Sequence, residues 1–261
     1  MPVRVLVTND DGPFSPGLRL LYRAVKPLAD EVTVIVPETP KSASGLGLTL
    51  HKPLRVNEII IDDMRVLIIN GTPSDVVYAT LSLYGGSLDL VVSGVNLGDN
   101  TSVQVALASG TIGAALQAAL AGVPAVAFSY AGTDPADMER EDVVDMVVSF
   151  SRKVSGWVLR NGMPPGVDVI SVNFPREPTK EAEVVPLAMR RFTNLLVKRE
   201  DPRGVPYYWL YGQPVDPEPG TDVYTLLVEG KITITPLSLR GLTAPLEELR
   251  GLIDELKEDR E

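Results

Sequence analysis

The chain has no cysteine and a single histidine, His51, among its 261 residues. Without thiols there is no disulfide framework, no thiolate zinc site and no cysteine nucleophile. One histidine removes histidine-rich zinc centres and would leave a Ser-His-Asp triad resting on His51 alone. That residue sits in a mixed polar and apolar segment with no evident partner, so a structural or peripheral role is expected of it. Cations are also in deficit, with 24 Lys and Arg against 34 Asp and Glu and a formal net charge of -10. Gripping a polymeric nucleic acid means neutralising many phosphates, so no such partner is expected. A small anion could still be met by local cations or oriented backbone amides. No run of about 18 apolar residues occurs, and no basic leader precedes the first strand-like run. The expectation is a cytoplasmic chain without a membrane segment. No G-x-G-x-x-G follows the first strand, which disfavours a nicotinamide dehydrogenase, and a P-loop is absent too.

What is present suits one large domain, or one domain with an appendage: 44% hydrophobic and 22% charged residues over this length allow a sizeable core. The first 130 or so residues alternate β-branched runs with helical periodicity, the pattern of a mostly parallel sheet flanked by helices. Strands are expected at Val3–Val7, Val32–Val36, Arg65–Ile69, Leu88–Val92, Ala125–Phe128 and Val167–Val172. Helices are expected near Leu18–Lys26, Pro73–Leu83, Thr111–Leu120 and Met138–Val158. The second is signed by Thr72-Pro73-Ser74-Asp75, a capping hydroxyl, a proline at the first helical position and a carboxylate three residues after the cap.

The core is therefore taken as residues 1–175. Residues 176–261 are read as further strands, a protruding hairpin arm and a terminal helix of the same domain. In the arm, Tyr207-Tyr208-Trp209-Leu210-Tyr211 concentrates four aromatics beside a proline-rich, acidic stretch. Packing on another subunit is favoured over stacking on nucleobases. From Thr243 to Leu256 an amphipathic pattern predicts a capped helix whose apolar stripe needs burial on its own domain or on a partner.

Chemistry is concentrated at four strand ends rich in hard oxygen donors and small residues. The first is Asn9-Asp10-Asp11-Gly12, where two adjacent carboxylates repel unless a cation or a shared proton neutralises them. The others are Pro37 to Gly45, Asn70 to Asp75, and Ser93 to Asn100; Ser109-Gly110-Thr111 then opens an alanine-rich helix. A helix start with free amides and hydroxyls can cradle a phosphate. Carboxylates with neutral oxygens and no Cys or His favour magnesium, manganese or calcium over zinc. Together these features suggest metal-assisted phosphoester hydrolysis. Each segment alone reads as an ordinary turn or cap; their joint occurrence at successive strand ends does not.

In this order the segments resemble the SurE family, the survival-protein 5'/3'-nucleotidases, and the match spans nearly the whole chain. It rests on Asn9-Asp10-Asp11-Gly12 with Pro16-Gly17, Pro37 to Ser44, Gly71 to Asp75, Ser93 to Gly98 and Ser109 to Thr111. It continues through Val172 to Pro175, the Asp201-Pro-Arg-Gly arm, and Gly220 to Asp222 before Ile234 to Pro236. Ala108 stands where the family often has an aromatic, and Gln117 where it often has a Glu. The resemblance implies a Rossmann-like core and hydrolysis of nucleoside monophosphates to nucleoside and phosphate. It further implies one divalent ion per subunit, magnesium or manganese with calcium as a third choice, held by Asp10, Asp11, Ser42 and Asn96. On this reading Asn9, Ser109, Gly110 and Thr111 hold phosphate oxygens, and Asp10, Asp11 and Asn9 carry the catalysis while water attacks in line. The resemblance also implies a homodimer or homotetramer in which the arm and C-terminal elements exchange. The competing readings are a non-catalytic nucleotide-sensing stress protein and a broad-specificity acid phosphatase or exopolyphosphatase.

Overall fold

A computed structural model describes residues 2–83, 88–243, 247 and 250. Its centre is a nine-stranded sheet with strand order β3-β4-β2-β1-β5-β6-β7-β11-β8. The strands are β1 (Arg4–Thr8), β2 (Glu31–Pro37), β3 (Val56–Ile61), β4 (Met64–Ile69), β5 (Leu90–Leu97), β6 (Ala125–Tyr130), β7 (Val169–Phe174), β8 (Ala182–Val184) and β11 (Ile232–Leu237). From β4 to β7 the pairing is parallel throughout; β3 and β11 are antiparallel to their neighbours β4 and β7. The expected Rossmann-like α/β sheet is therefore what forms, and the six expected strands coincide with β1, β2, β4, β5, β6 and β7.

Helices cover both faces, which is why the central strands are apolar on both sides rather than alternating. On one face α1 (Pro16–Val25) packs with α5 (Glu141–Asn161) over Val5, Val7, Val34, Val36 and Val92. On the other, α2 (Pro73–Leu83) and α4 (Gly110–Leu120) pack over Leu6, Ile35, Val91 and Ala125. The α2 cap forms as its residues predict: Asp75 N donates to Thr72 Oγ1 at 3.1 Å and Thr72 N to Asp75 Oδ2 at 2.8 Å.

Three elements were not expected from sequence. β3 is an edge strand with Val56 and Ile60 exposed, so it lacks a clean alternation. The helices α3 (Ser102–Ala108) and α6 (Asp222–Leu227) are seven and six residues long, too short for periodicity to declare them. Both are held by one buried side chain. Asp222 Oδ2 accepts from Ser102 N at 2.7 Å, and Oδ1 accepts from Ala188 N and Val223 N, each at 2.8 Å. The arm is a separate two-stranded hairpin of β9 (Leu195–Glu200) and β10 (Pro206–Tyr211). The helix expected from Thr243 to Leu256 falls, apart from residues 243, 247 and 250, on residues outside the described set. Among the described residues no single helix is long and apolar enough to cross a membrane.

The order of the strands places the site. From β1 the chain runs outward to β2 and β4, then returns to β5 and runs the other way through β6 and β7. The switch point lies between β1 and β5, where connections diverge and leave a crevice at the carboxyl ends of the strands. Thr8 and Ser93 are register partners there, so the loops after them emerge side by side.

Because Asp222 satisfies three buried backbone donors on three segments, Asp222→Ala should lower the unfolding free energy by roughly 2–4 kcal/mol. A urea-unfolding midpoint equal to that of the parent would show that these donors find other acceptors.

Candidate active site

Asn9-Asp10-Asp11-Gly12 is shaped by its own first residue. Asn9 is fully buried; its Nδ2 donates to Gly12 O at 2.9 Å and its Oδ1 accepts from Gly12 N at 3.1 Å. The carboxamide thus closes the turn, and Gly12 accepts the conformation at φ +86° that a side chain would resist. This presents the two carboxylates at the mouth of the switch point.

Each carboxylate is held by a different neighbour. Asp10 is buried and accepts a hydrogen bond from the Thr111 hydroxyl through Oδ1. The backbone amides of Thr111 and Gly110, at the start of α4, add to it, yet burial dominates and raises the Asp10 pKa above the usual carboxylate value. Asp11 Oδ2 accepts from Leu97 N at 3.3 Å. Burial first, and the adjacent Asp10 charge second, push the Asp11 pKa up to about 6. Two partly desolvated carboxylates side by side, with no cationic partner among the described residues, are electrostatically incomplete.

The neighbouring segments close on this pair by backbone contact. Lys41 N donates to Asp10 O at 2.7 Å, which docks the Pro37 to Gly45 loop against the first. Gly45 N donates to Ala108 O at 2.8 Å, and a methyl group at Gly113 would lie 2.1 Å from Gly45 O. Only a glycine in α4 lets that loop come so near. A methyl group at Gly110 would lie 2.7 Å from Ser44 Oγ and 2.9 Å from Asp10 Oδ2, so those oxygens face a small space that a Cβ would fill. Ser44 Oγ is buried with no hydrogen-bond partner. In β5 the register to β6 slips by one residue between Ser93 and Asn96, a bulge of the kind that re-aims side chains beside active sites. Asn96 follows it; its Nδ2 donates to Gly98 O at 2.7 Å, which fixes the amide and leaves Oδ1 as its other end.

The candidate residues are therefore drawn together unevenly. Asp10, Asp11, Gly110 and Thr111 share direct contacts, and Asn96 adjoins Leu97, which holds Asp11. Ser109 caps α4, its Oγ accepting from Ile112 N at 3.2 Å. Ser42 is exposed on the docked loop, one turn from Ser44. His51 is exposed as well. Among the described residues no three His, Cys, Asp or Glu side chains cluster as a metal site, in keeping with a donor set of two carboxylates and neutral oxygens.

Sequence reasoning missed Ser44, and it missed the ties behind the Ser93 to Asn100 loop. Arg191 Nε lies 3.6 Å from Asp99 Oδ1 with both side chains largely buried, while Gln104 Oε1 accepts from Arg191 N and Phe192 N at 3.0 Å. These partners are some ninety positions apart and carry no local signal. Ser44 could have been singled out as the second hydroxyl of Ser42-Ala43-Ser44.

The chain is similar over most of its length to known proteins. A family model described as "Survival protein SurE" matches residues 5–194. The chain is 53% identical to "5'-nucleotidase SurE" of Thermofilum pendens over 258 residues, covering 98% of this chain and 99% of that one. It is 56% identical to "5'-nucleotidase SurE" of Hyperthermus butylicus over 241 residues, covering 90% and 85%. Among solved structures, the SurE protein from Aquifex aeolicus is similar at 30% identity with a TM-score of 0.77, covering 97% of this chain and 99% of that one.

Gly113→Ala tests the packing of the Pro37 to Gly45 loop. Helix propensity alone would favour alanine by about 1 kcal/mol, but overlap with the Gly45 carbonyl should win and destabilise by roughly 1–3 kcal/mol. A raised denaturation midpoint would mean that the loop does not lie against α4.

Proposed function

The chain belongs to the survival protein SurE family, and from that premise we propose that it is a 5'-nucleotidase that hydrolyses nucleoside monophosphates with the help of one divalent cation. The observation that carries this reading is the pair of buried Asp10 and half-buried Asp11 at the switch point, abutting the start of α4. The side-chain oxygens of Ser44 and Asp10 face the space beside Gly110, which a Cβ would fill. Such a donor set fits a hard cation, magnesium or manganese before calcium. Asp10, Asp11, Ser42 and Asn96 would hold it. When bound, the cation would draw negative charge from the phosphoryl oxygens.

The chain's own residues then divide the work. Thr111 fixes the Asp10 carboxylate through its hydroxyl, and Leu97 N fixes that of Asp11. Ser109 Oγ accepts from Ile112 N and so keeps its own hydrogen to donate to a phosphate oxygen. The Gly110 and Thr111 amides supply the positive end of α4 beside it. Asn9 shapes the carboxylate loop through Gly12, and the second hydrogen of its Nδ2 is left to donate to a phosphate oxygen. The attacking water gives its proton to a carboxylate oxygen of Asp10 or Asp11, Asp11 Oδ1 being the one that Leu97 N leaves unheld.

The substrate of this reading is a nucleoside monophosphate, and the working form is a homo-oligomer. On the arm Leu195, Leu196, Tyr207, Tyr208, Trp209, Leu210 and Tyr211 are all exposed, Leu210 to 89%. A free two-stranded hairpin is marginal in water, and apolar side chains on both its faces favour a second copy as cover.

The deciding assay is phosphate release from a panel of nucleoside monophosphates after metal stripping and readdition. Activity should vanish in excess chelator and return with magnesium or manganese; undiminished turnover in chelator would remove the metal from the account. Asp10→Asn and Asp11→Asn should each lose most of the turnover while keeping or slightly raising thermal stability, since either relieves buried like-charge repulsion. Parent-level turnover in both would overturn the assignment. Light scattering of the intact protein at micromolar concentration should give a dimer or larger species, and a monodisperse monomer would refute the oligomer.

A further inference from the structure

We infer that Phe14 is a specificity-determining residue, the surface on which the nucleobase of the substrate stacks; the inference rests on the nucleotidase reading above. Phe14 is 73% exposed, the most exposed aromatic among those whose exposure is large. It lies on the turn between the carboxylate pair and α1, three residues after Asp11, so at most ~11 Å of chain separates them. An aromatic ring left open to water three residues from the carboxylate pair is poorly explained by packing within its own fold.

The turn that carries it is well anchored. Ser15 N donates to Gly12 O at 3.5 Å, and the Gly12 Cβ direction meets Pro37 O at 3.6 Å and Pro40 Cδ at 3.8 Å. On the other side a methyl group at Gly17 would lie 1.9 Å from Val95 O, so the first turn of α1 is seated on the segment that leads to Asn96. The turn that carries Phe14 is thereby fixed between the Pro37 to Gly45 loop, which Gly12 meets, and the β5 segment at Val95, which Gly17 meets.

Two further segments proposed to hold cation or phosphate carry an exposed apolar side chain at the same end of the sheet. Leu46 is 37% exposed just after Ser44 and Gly45, and Leu107 is 62% exposed just before Ala108 and Ser109. The Gly45 N to Ala108 O bond brings these two positions alongside one another. The site therefore offers buried oxygens and helix amides at its floor, with an aromatic ring and two leucines at its edge. A nucleoside monophosphate has the matching division: a dianionic phosphate at one end and a flat, apolar-faced base at the other. Stacking on an aromatic tolerates any base, strengthens with ring area and adds no hydrogen-bond selection. The site should therefore prefer purine over pyrimidine monophosphates without distinguishing sharply within each class.

Steady-state kinetics of the parent, Phe14→Ala and Phe14→Trp tests this, with adenosine and uridine monophosphates and with ribose 5-phosphate, which has no base. Phe14→Ala should raise KM about tenfold for the purine and less for the pyrimidine, as loss of one stacked base implies. It should leave kcat, and KM for ribose 5-phosphate, unchanged, and Phe14→Trp should restore the purine KM. An equal change with ribose 5-phosphate, no change with any substrate, or a smaller oligomer by light scattering would overturn the inference. If the parent itself releases no phosphate from either nucleotide, the nucleotidase reading fails as well; if it does, and Phe14→Ala matches it throughout, only the base-stacking role is lost.

Discussion

Two adjacent carboxylates held out of water at the ends of the central strands form the constraint on which the remaining structure depends. Burying an unpaired carboxylate costs several kcal/mol even after relaxation, and here a second lies next to it. Each feature of the surroundings reads as a response to that cost. The start of α4 turns two amides and a hydroxyl toward Asp10, the bulge in β5 brings an amide to Asp11, and Asn9 locks the turn that presents both. None of these donors carries a full positive charge, so they do not fully offset the negative charge of the pair.

Close approach is the second requirement, and glycine meets it. Gly113 lets the Pro37 to Gly45 loop lie on α4, Gly17 seats α1 on Val95, and Gly94, at φ +125°, stands where a methyl group would be 2.2 Å from Phe128 O. Behind this floor, Asp222 joins the starts of α3 and α6 to the chain entering the arm, and Gln104 and Arg191 join α3 to the base of the hairpin. The arm and the Ser93 to Asn100 loop are thus linked through one short helix. An oligomer built on the arm would bear on the loop that carries Asn96.

Much of this was legible in the chain because it is written locally. Val3 to Val7 leading into Asn9-Asp10-Asp11-Gly12 declares a strand and an oxygen-rich turn within ten residues, and Thr72-Pro73-Ser74-Asp75 declares its helix by its cap. What could not be read was either short or long-range. The helices at Ser102 and Asp222 are below the length at which periodicity speaks, and β3 is an edge strand whose Val56 and Ile60 face solvent. That Thr111 spends its hydroxyl on Asp10, 101 positions away, follows only from the folded chain. The same holds for Asn9, whose amide closes the carboxylate turn on Gly12.

The central claim is that Asp10 and Asp11 are a cation site rather than a proton-sharing pair, and the most direct measurement is metal binding itself. Titration of manganese into the metal-stripped protein, followed by calorimetry or by the loss of the free-ion electron paramagnetic resonance signal, should give one site per chain. That site should be lost in Asp10→Asn and in Asp11→Asn, and weakened in Asn96→Ala. Saturable binding that persists in both aspartate variants, or no binding by a parent protein that still hydrolyses nucleotides, would contradict the account.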